Sequence, residues 1–150
     1  MARITKYKNG FTLIELVVIL LLLGILAAVA LPKFFNVSDY QNRATYDEVA
    51  GAVRYAQKLA VASGCEVRVD LSGNSYALQQ HSTDCTTGSF ATISGHPITS
   101  NNFSNVTLTS VPSIFNFDAM GRSNSDVSVN IDGGSLSFDV IAETGYVDAQ

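Results

Sequence analysis

The feature that most constrains this chain is an apolar run near its N-terminus, residues 11–31, in which Glu15 is the single charged residue. From Leu16 to Pro32 there is no charge at all. A helix over residues 11–31 rises about 1.5 Å per residue and is roughly as long as a bilayer core is thick. Arg3, Lys6 and Lys8 precede the run with no acidic residue among them. That flank predicts an N-terminus kept in the cytoplasm and a following domain carried outside. A removable secretory signal fits the same pattern, because Ala27-Ala28-Val29-Ala30 is a passable small-residue cleavage site. Apolarity alone leaves both readings open. Glu15 inside the segment, and a helical pattern that continues beyond it, speak for a retained helix.

The pattern continues through Val49, Ala52, Val53, Ala56, Leu59, Ala60 and Ser63, which step by three and four residues. Asp47, Glu48, Arg54 and Lys58 fall mostly off that face. Pro32 is expected to bend the helix. Ser63-Gly64 is the expected stop, with Gly64 as a left-handed cap. Strand patterns follow. Cys65, Val67, Val69 and Leu71 alternate, Ser72-Gly73-Asn74 turns the chain, and Tyr76 and Leu78 continue the same face. Residues 81–104 are rich in Ser, Thr, Gly and Asn and read as a long loop or small subdomain. Val106, Leu108 and Ser110 form a weaker strand. Residues 114–118, the alternation Val127, Val129, Ile131, its partner Leu136, Phe138, Val140, and Gly145-Tyr146-Val147 complete the series, with turns at Met120-Gly121 and Asp132-Gly133-Gly134. The fold class is α+β: one long N-terminal helix, membrane-spanning in its first half, packed on a C-terminal antiparallel sheet.

Composition narrows the function. The 150 residues are 47% hydrophobic and 15% charged, with a formal charge of −4, which suits one domain with one modest core. Beyond residue 10, six basic residues face thirteen acidic ones, so nucleic acid has no electrostatic reason to bind. His81 and His96 have no acidic or cysteine partner at metal-ligand spacing, and nothing arranges Ser, His and Asp as a nucleophilic triad. Gly121, Gly133 and Gly145 are turn residues without phosphate-loop spacing. The sequons at Asn36, Asn102 and Asn105 read as chance matches. No cofactor, metal or enzymatic activity is expected.

Lys8-Asn9-Gly10-Phe11-Thr12-Leu13-Ile14-Glu15-Leu16-Val17-Val18 resembles the leader-and-start motif of type IV pilins and type II secretion pseudopilins: a short basic leader, Gly before the cut, Phe after it, an acid four residues later, then an apolar helix. Pro32 lies where many members of that superfamily have a helix-bending proline. The C-terminal half, Phe115-Asn-Phe-Asp118-Ala-Met-Gly121 and then Glu143-Thr-Gly145-Tyr-Val147, is similar to the GspH/FimT group. It is most similar to MshC-like minor pilins of the mannose-sensitive haemagglutinin pilus, as is Leu31-Pro-Lys-Phe-Phe-Asn36.

The resemblance implies a pilin fold with a leader over residues 1–10, a transmembrane and filament-core helix over 11–35, and a periplasmic globular domain over 36–150 that includes the second half of the helix. It implies cleavage between Gly10 and Phe11 by a prepilin peptidase, N-methylation of Phe11, and pairing of Glu15 with a neighbouring subunit's N-terminal amine during assembly. The implied partners are that peptidase, other major and minor pilins or pseudopilins, the inner-membrane assembly platform and membrane lipid, with no nucleic acid. The implied role is a non-enzymatic minor pilin that initiates or integrates into a filament. A GspH-type pseudopilin of the type II secretion system is the alternative within the superfamily, and a secreted binding domain with an ordinary signal peptide is the alternative outside it.

With the domain in the periplasm, where thiols are oxidised, Cys65 and Cys85 are expected to form a disulfide, since they are the two cysteines of the chain. Two separate buried thiols are the alternative.

Overall fold

A computed structural model describes residues 10–34, 37–96 and 98–149, with the side chains of residues 29–34 and 37 outside that description. Most of the expected leader, residues 1–9, therefore lies outside the described residues. The chain divides into two compact units, one up to Val37 and one from Ser38 on.

The first unit contains helix α1, Leu13–Phe34. Between Glu15 and Pro32 its sequence is Leu, Ile, Val and Ala with one Gly, and no polar side chain in that stretch competes for backbone hydrogen bonds. It runs through Pro32 before it ends; the expected bend there falls where side chains are not described. A helix apolar on every side belongs in lipid or inside a bundle. Among the described residues no helix is long and apolar enough to cross a membrane. The span expected over residues 11–31 runs into positions whose side chains are not described.

The second unit opens with α2, Val37–Ser63. Val49, Ala50, Ala52, Val53, Ala56 and Ala60 are its buried face. The small alanines let the helix lie close on the strands, and Val53 is fully enclosed. Leu59 is only half-buried and Ser63 is exposed, so Ser63 is not part of the core face as expected. Its hydroxyl instead ends the helix, donating to the Leu59 carbonyl at 2.7 Å and accepting the Cys65 N–H at 3.3 Å. Gly64 follows in the left-handed region with φ 69°, the expected cap.

Nine strands follow: β1 Val67–Asp70, β2 Ser75–His81, β3 Phe90–Thr92, β4 Ser100–Asn102, β5 Leu108–Val111, β6 Ile114–Phe117, β7 Val127–Ile131, β8 Leu136–Val140 and β9 Val147–Ala149. The expected single sheet is two. One has the order β3-β2-β1-β6, with β4 also on β2, and the other β5-β7-β8-β9. All pairings are antiparallel. The division falls between β5 and β6. Pro112, just after β5, has no N–H to continue a ladder, and Leu71 N–H bonds the Ser113 carbonyl at 2.7 Å as the chain enters the first sheet. Residues 81–104 are not simply a loop, because they contain β3 and β4.

Alternate residues of both sheets meet α2. Val67, Val69, Tyr76, Leu78, Phe115 and Phe117 come from the first sheet, and Val127, Val129, Ile131, Phe138, Val140 and Val147 from the second. Each large side chain fully buried there contributes about 1.5–3 kcal/mol. Polar ties fix the helix over the sheets. Asn42 donates to Asp132 at 2.7 Å, and Glu48 accepts the Tyr76 hydroxyl at 3.0 Å and the Asn101 amide at 2.7 Å. Burial, with the Glu48 carboxylate beside it, pushes the Tyr76 hydroxyl up. Asn74 joins the sheets: its carbonyl accepts Phe103 N–H at 2.8 Å, and its side-chain oxygen accepts Leu108 N–H at 2.9 Å.

Candidate assembly motif at the helix start

Gly10, Phe11 and Thr12 precede α1 in non-helical chain, and all three are exposed. The Gly10–Phe11 peptide bond thus lies ahead of the helix, in exposed chain. Thr12 is the cap. Its hydroxyl accepts the Glu15 N–H at 3.3 Å, and its carbonyl accepts the Leu16 N–H at 3.2 Å. This satisfies one of the first-turn N–H groups that a helix cannot pair itself. Sequence reasoning overlooked Thr12, although Thr12-Leu-Ile-Glu15 has the spacing of a capping box.

Glu15 is the acidic residue of the first turn, where the helix dipole favours negative charge. Four residues separate it from Phe11, about one helical turn. Around it Phe11 is 73% exposed and Leu13 81%. Through Leu26 every Leu, Ile and Val of α1 stays exposed. An exposed carboxylate beside a bare apolar surface suits a partner that supplies both a cation and apolar contacts.

The second unit holds the remaining expected features. Cys65 and Cys85 form a disulfide, with Cα atoms 4.7 Å apart. It ties the loop after β2 to the junction between α2 and β1. That loop is shaped by Asp84, which accepts Thr86 N–H at 2.9 Å and Thr87 N–H at 2.7 Å. These bonds, the Thr86 N–H foremost, hold the Asp84 carboxyl down at about 2. His81 lies tilted against Phe90, and His96 stacks on Tyr55. Arg68 covers Phe90 with its guanidinium 3.5 Å from the ring centre.

The two short C-terminal motifs meet in space. Asp118 closes its own turn by accepting Met120 and Arg122 N–H groups at 2.9 and 2.8 Å, and pairs with the Arg122 side chain at 2.7 Å. The Arg122 N–H is the main cause that lowers the Asp118 carboxyl. That turn presents the Gly121 carbonyl to Gln57 of α2, whose amide donates to it and to the Thr144 carbonyl, both at 3.0 Å. Gly145, beside Thr144, packs directly against the same Gly121 carbonyl. These contacts belong to the scaffold of the second unit.

The prokaryotic N-terminal methylation motif matches residues 5–31. The type IV narrow pilus major component PilA5 of Thermus thermophilus is 47% identical over 52 residues, 35% of this chain and 45% of that protein. The chain thus spans less than half the length of this curated relative. The type IV minor pilin FimU of Pseudomonas aeruginosa shares the fold with a TM-score of 0.55 and 14% identity, over 72% of this chain and 91% of that one. The minor pseudopilin EpsH from the Type 2 Secretion System of Vibrio cholerae does so with 0.56 and 12%, over 73% and 96%. Pilin and pseudopilin families are structural subunits, not enzymes. A methylation motif that opens an apolar helix, together with a fold similar to that of a minor pilin and a minor pseudopilin, is what the chain shares with type IV pilin-like proteins.

Proposed function

We propose that the chain is a minor pilin of a type IV pilus of the mannose-sensitive haemagglutinin kind, made with a leader and built into the filament through α1. The observation that carries this reading is the arrangement at the helix start: an exposed Gly10–Phe11 bond ahead of the Thr12 cap, one carboxylate in the first turn, and an apolar surface beyond. Prepilin peptidase cuts after Gly10 and methylates the amine of Phe11. The apolar helix stays attached, residues 11–35 reside in the inner membrane with the N-terminus cytoplasmic, and residues 36–150 stand in the periplasm as the domain. The assembly platform then draws the helix from lipid into a bundle of helices from other pilins, with Pro32 bending it. The Leu31-to-Asn36 segment and the two C-terminal motifs support the choice of pilus system.

Glu15 supplies the registering contact. A carboxylate placed in a membrane helix costs about 2.5–3.5 kcal/mol on insertion scales, and no basic side chain lies in residues 11–18. Pairing with the Phe11 amine of an adjacent subunit offsets the desolvation of both ions and sets the axial step between helices.

A second reading, a GspH-type pseudopilin, is favoured by one observation: the fold match to the pseudopilin equals that to the minor pilin, with TM-scores of 0.56 and 0.55. The test of incorporation is Glu15→Ala. It leaves membrane insertion and cleavage after Gly10 intact but removes the chain from sheared pilus fractions. Incorporation at the wild-type level refutes the assembly role. Recovery of the wild-type chain with secretion pseudopili instead of pili replaces the first reading by the second.

A further inference from the structure

Between α2 and the chain that leads from β4 to β5 lies a cavity of about 250 Å³. Gln41, Thr45 and Glu48 line it from α2, at the four- and three-residue spacings that share one helix face. Residues 101–106 form the opposite wall. Asn74 fixes that wall, accepting the Phe103 N–H on its carbonyl and the Leu108 N–H on its side-chain oxygen. Glu48 ties the wall to the helix. One of its carboxylate oxygens accepts both the Asn101 amide at 2.7 Å and the Tyr76 hydroxyl at 3.0 Å. The cavity is therefore framed by the fold itself.

Thr45 is the residue that this framework leaves unsatisfied. It is only 4% exposed, yet its hydroxyl has no hydrogen-bond partner among the described residues. A helical hydroxyl can bond back to the carbonyl four residues earlier, as Ser63 does to Leu59; Thr45 does not. The unpaired Ser125 hydroxyl and Asn116 side-chain oxygen are sealed from solvent. The Thr45 hydroxyl is not among the sealed atoms, and it opens on the cavity that Thr45 lines. A buried hydroxyl without a partner costs free energy, and a ligand in the cavity would supply that partner. Gln41 and Asn105, on the two walls, also keep their side-chain amides unpaired among the described residues.

The lining decides the chemistry of the ligand. It holds one carboxylate and no Lys, Arg or His, so an anion is disfavoured and a bare cation finds only one charged ligand. Hydroxyl and amide groups both donate and accept, which matches ligand hydroxyls, since each of those also does both. Ala44, Phe103 and Val106 add apolar surface, suited to C–H groups. The volume is below the roughly 300–1,000 Å³ of drug-sized sites, so a single ring fits. We propose that this cavity binds one neutral sugar ring, a pyranose whose hydroxyls meet Thr45, Gln41, Asn105 and Glu48 while its C–H face lies on the apolar side. The site is built within the second unit and rests neither on processing at Gly10 nor on the filament.

Methyl pyranosides of glucose, galactose and mannose, titrated calorimetrically into the full-length chain in a sugar-free zwitterionic detergent, test this. At least one binds saturably, with a Kd of about 1 mM. The matching uronate, the same ring with a carboxylate facing Glu48, binds severalfold more weakly, and an acetylated dipeptide amide does not bind. Thr45→Val keeps the shape and removes the hydroxyl. It weakens binding about tenfold, the equivalent of one hydrogen bond, with an unchanged or raised melting temperature. Thr45→Ser retains binding, and Asn105→Ala, on the exposed wall, weakens it severalfold. The proposal is overturned if none of the three pyranosides binds saturably up to about 100 mM, far above the expected Kd. It is equally overturned if Thr45→Val binds like the wild type, or if the uronate or the dipeptide amide binds as tightly as the neutral sugar. A chain processed normally at Gly10 but blind to all three pyranosides overturns this site and leaves the proposed function standing.

Discussion

Gly145 packs against the Gly121 carbonyl oxygen so closely that a β-carbon at Gly145 would clash with that oxygen. Gly145 also has φ 63°, a conformation that costs side-chain-bearing residues energy. Gln57 holds the two turns by donating to Gly121 and Thr144. Gly145→Ala is therefore expected to destabilise the second unit by about 2–4 kcal/mol, and Gln57→Ala by about 1–3 kcal/mol through its two abandoned carbonyls. Denaturant unfolding of the full-length chain in detergent measures both. Wild-type midpoints for the two variants contradict the contact.

Much of this region was legible in sequence. Gly121 and Gly145 read as turn residues, and the alternations Val127/Val129/Ile131 and Leu136/Phe138/Val140 located β7 and β8, because one buried face imposes a period of two. β3 and β4 carried no such signal. They lie against β2 with little burial, so Ser, Thr and Asn serve as well as apolar residues and nothing distinguishes them from loop. The division into two sheets was hidden for a related reason: strand patterns show which face is buried but not which neighbour is paired. At the helix start Gly10, Phe11 and Glu15 stood out by motif, while Thr12 was overlooked because a hydroxyl cap is inconspicuous beside an apolar run.

The disulfide predicts a redox-dependent stability. Cross-linking Cys65 to Cys85 closes a loop across 20 residues. Chain-entropy reasoning gives about 3 kcal/mol for a loop of this size. Replacing both cysteines by serine is expected to lower stability by that order, and the native oxidised chain is expected to show no alkylatable thiol. Two thiols labelled without reductant contradict the bridge.

Val53 tests the division of the helix. Its side chain is fully enclosed among α2 and the strands. Val53→Asp buries an unpaired carboxylate and is expected to unfold the second unit at a cost of several kcal/mol, read as loss of the strand signal in circular dichroism. The same change at Val17, exposed on α1, is expected to leave that signal intact.

Acid stability follows from Asp84 and Asp118. Backbone N–H groups hold both carboxyls below their ordinary value of 3.8 in the folded chain, Asp84 at about 2. In that interval the unfolded chain binds more protons, so stability rises with pH. The contribution is complete above the unfolded value and is lost as pH falls through the folded one. The melting temperature is expected to drop between about pH 4 and about pH 2, and Asp84→Asn with Asp118→Asn to flatten that drop. An unchanged slope in the double variant contradicts the assignment.

The central claim is that α1 enters a filament as a processed, methylated helix. Its most direct test is the mass of the N-terminal peptide of the chain recovered from cells that make it. The account predicts a mature chain that begins at Phe11 and carries one N-methyl group. A chain that still begins at Met1, or one that begins near Leu31 after the small-residue site, contradicts it.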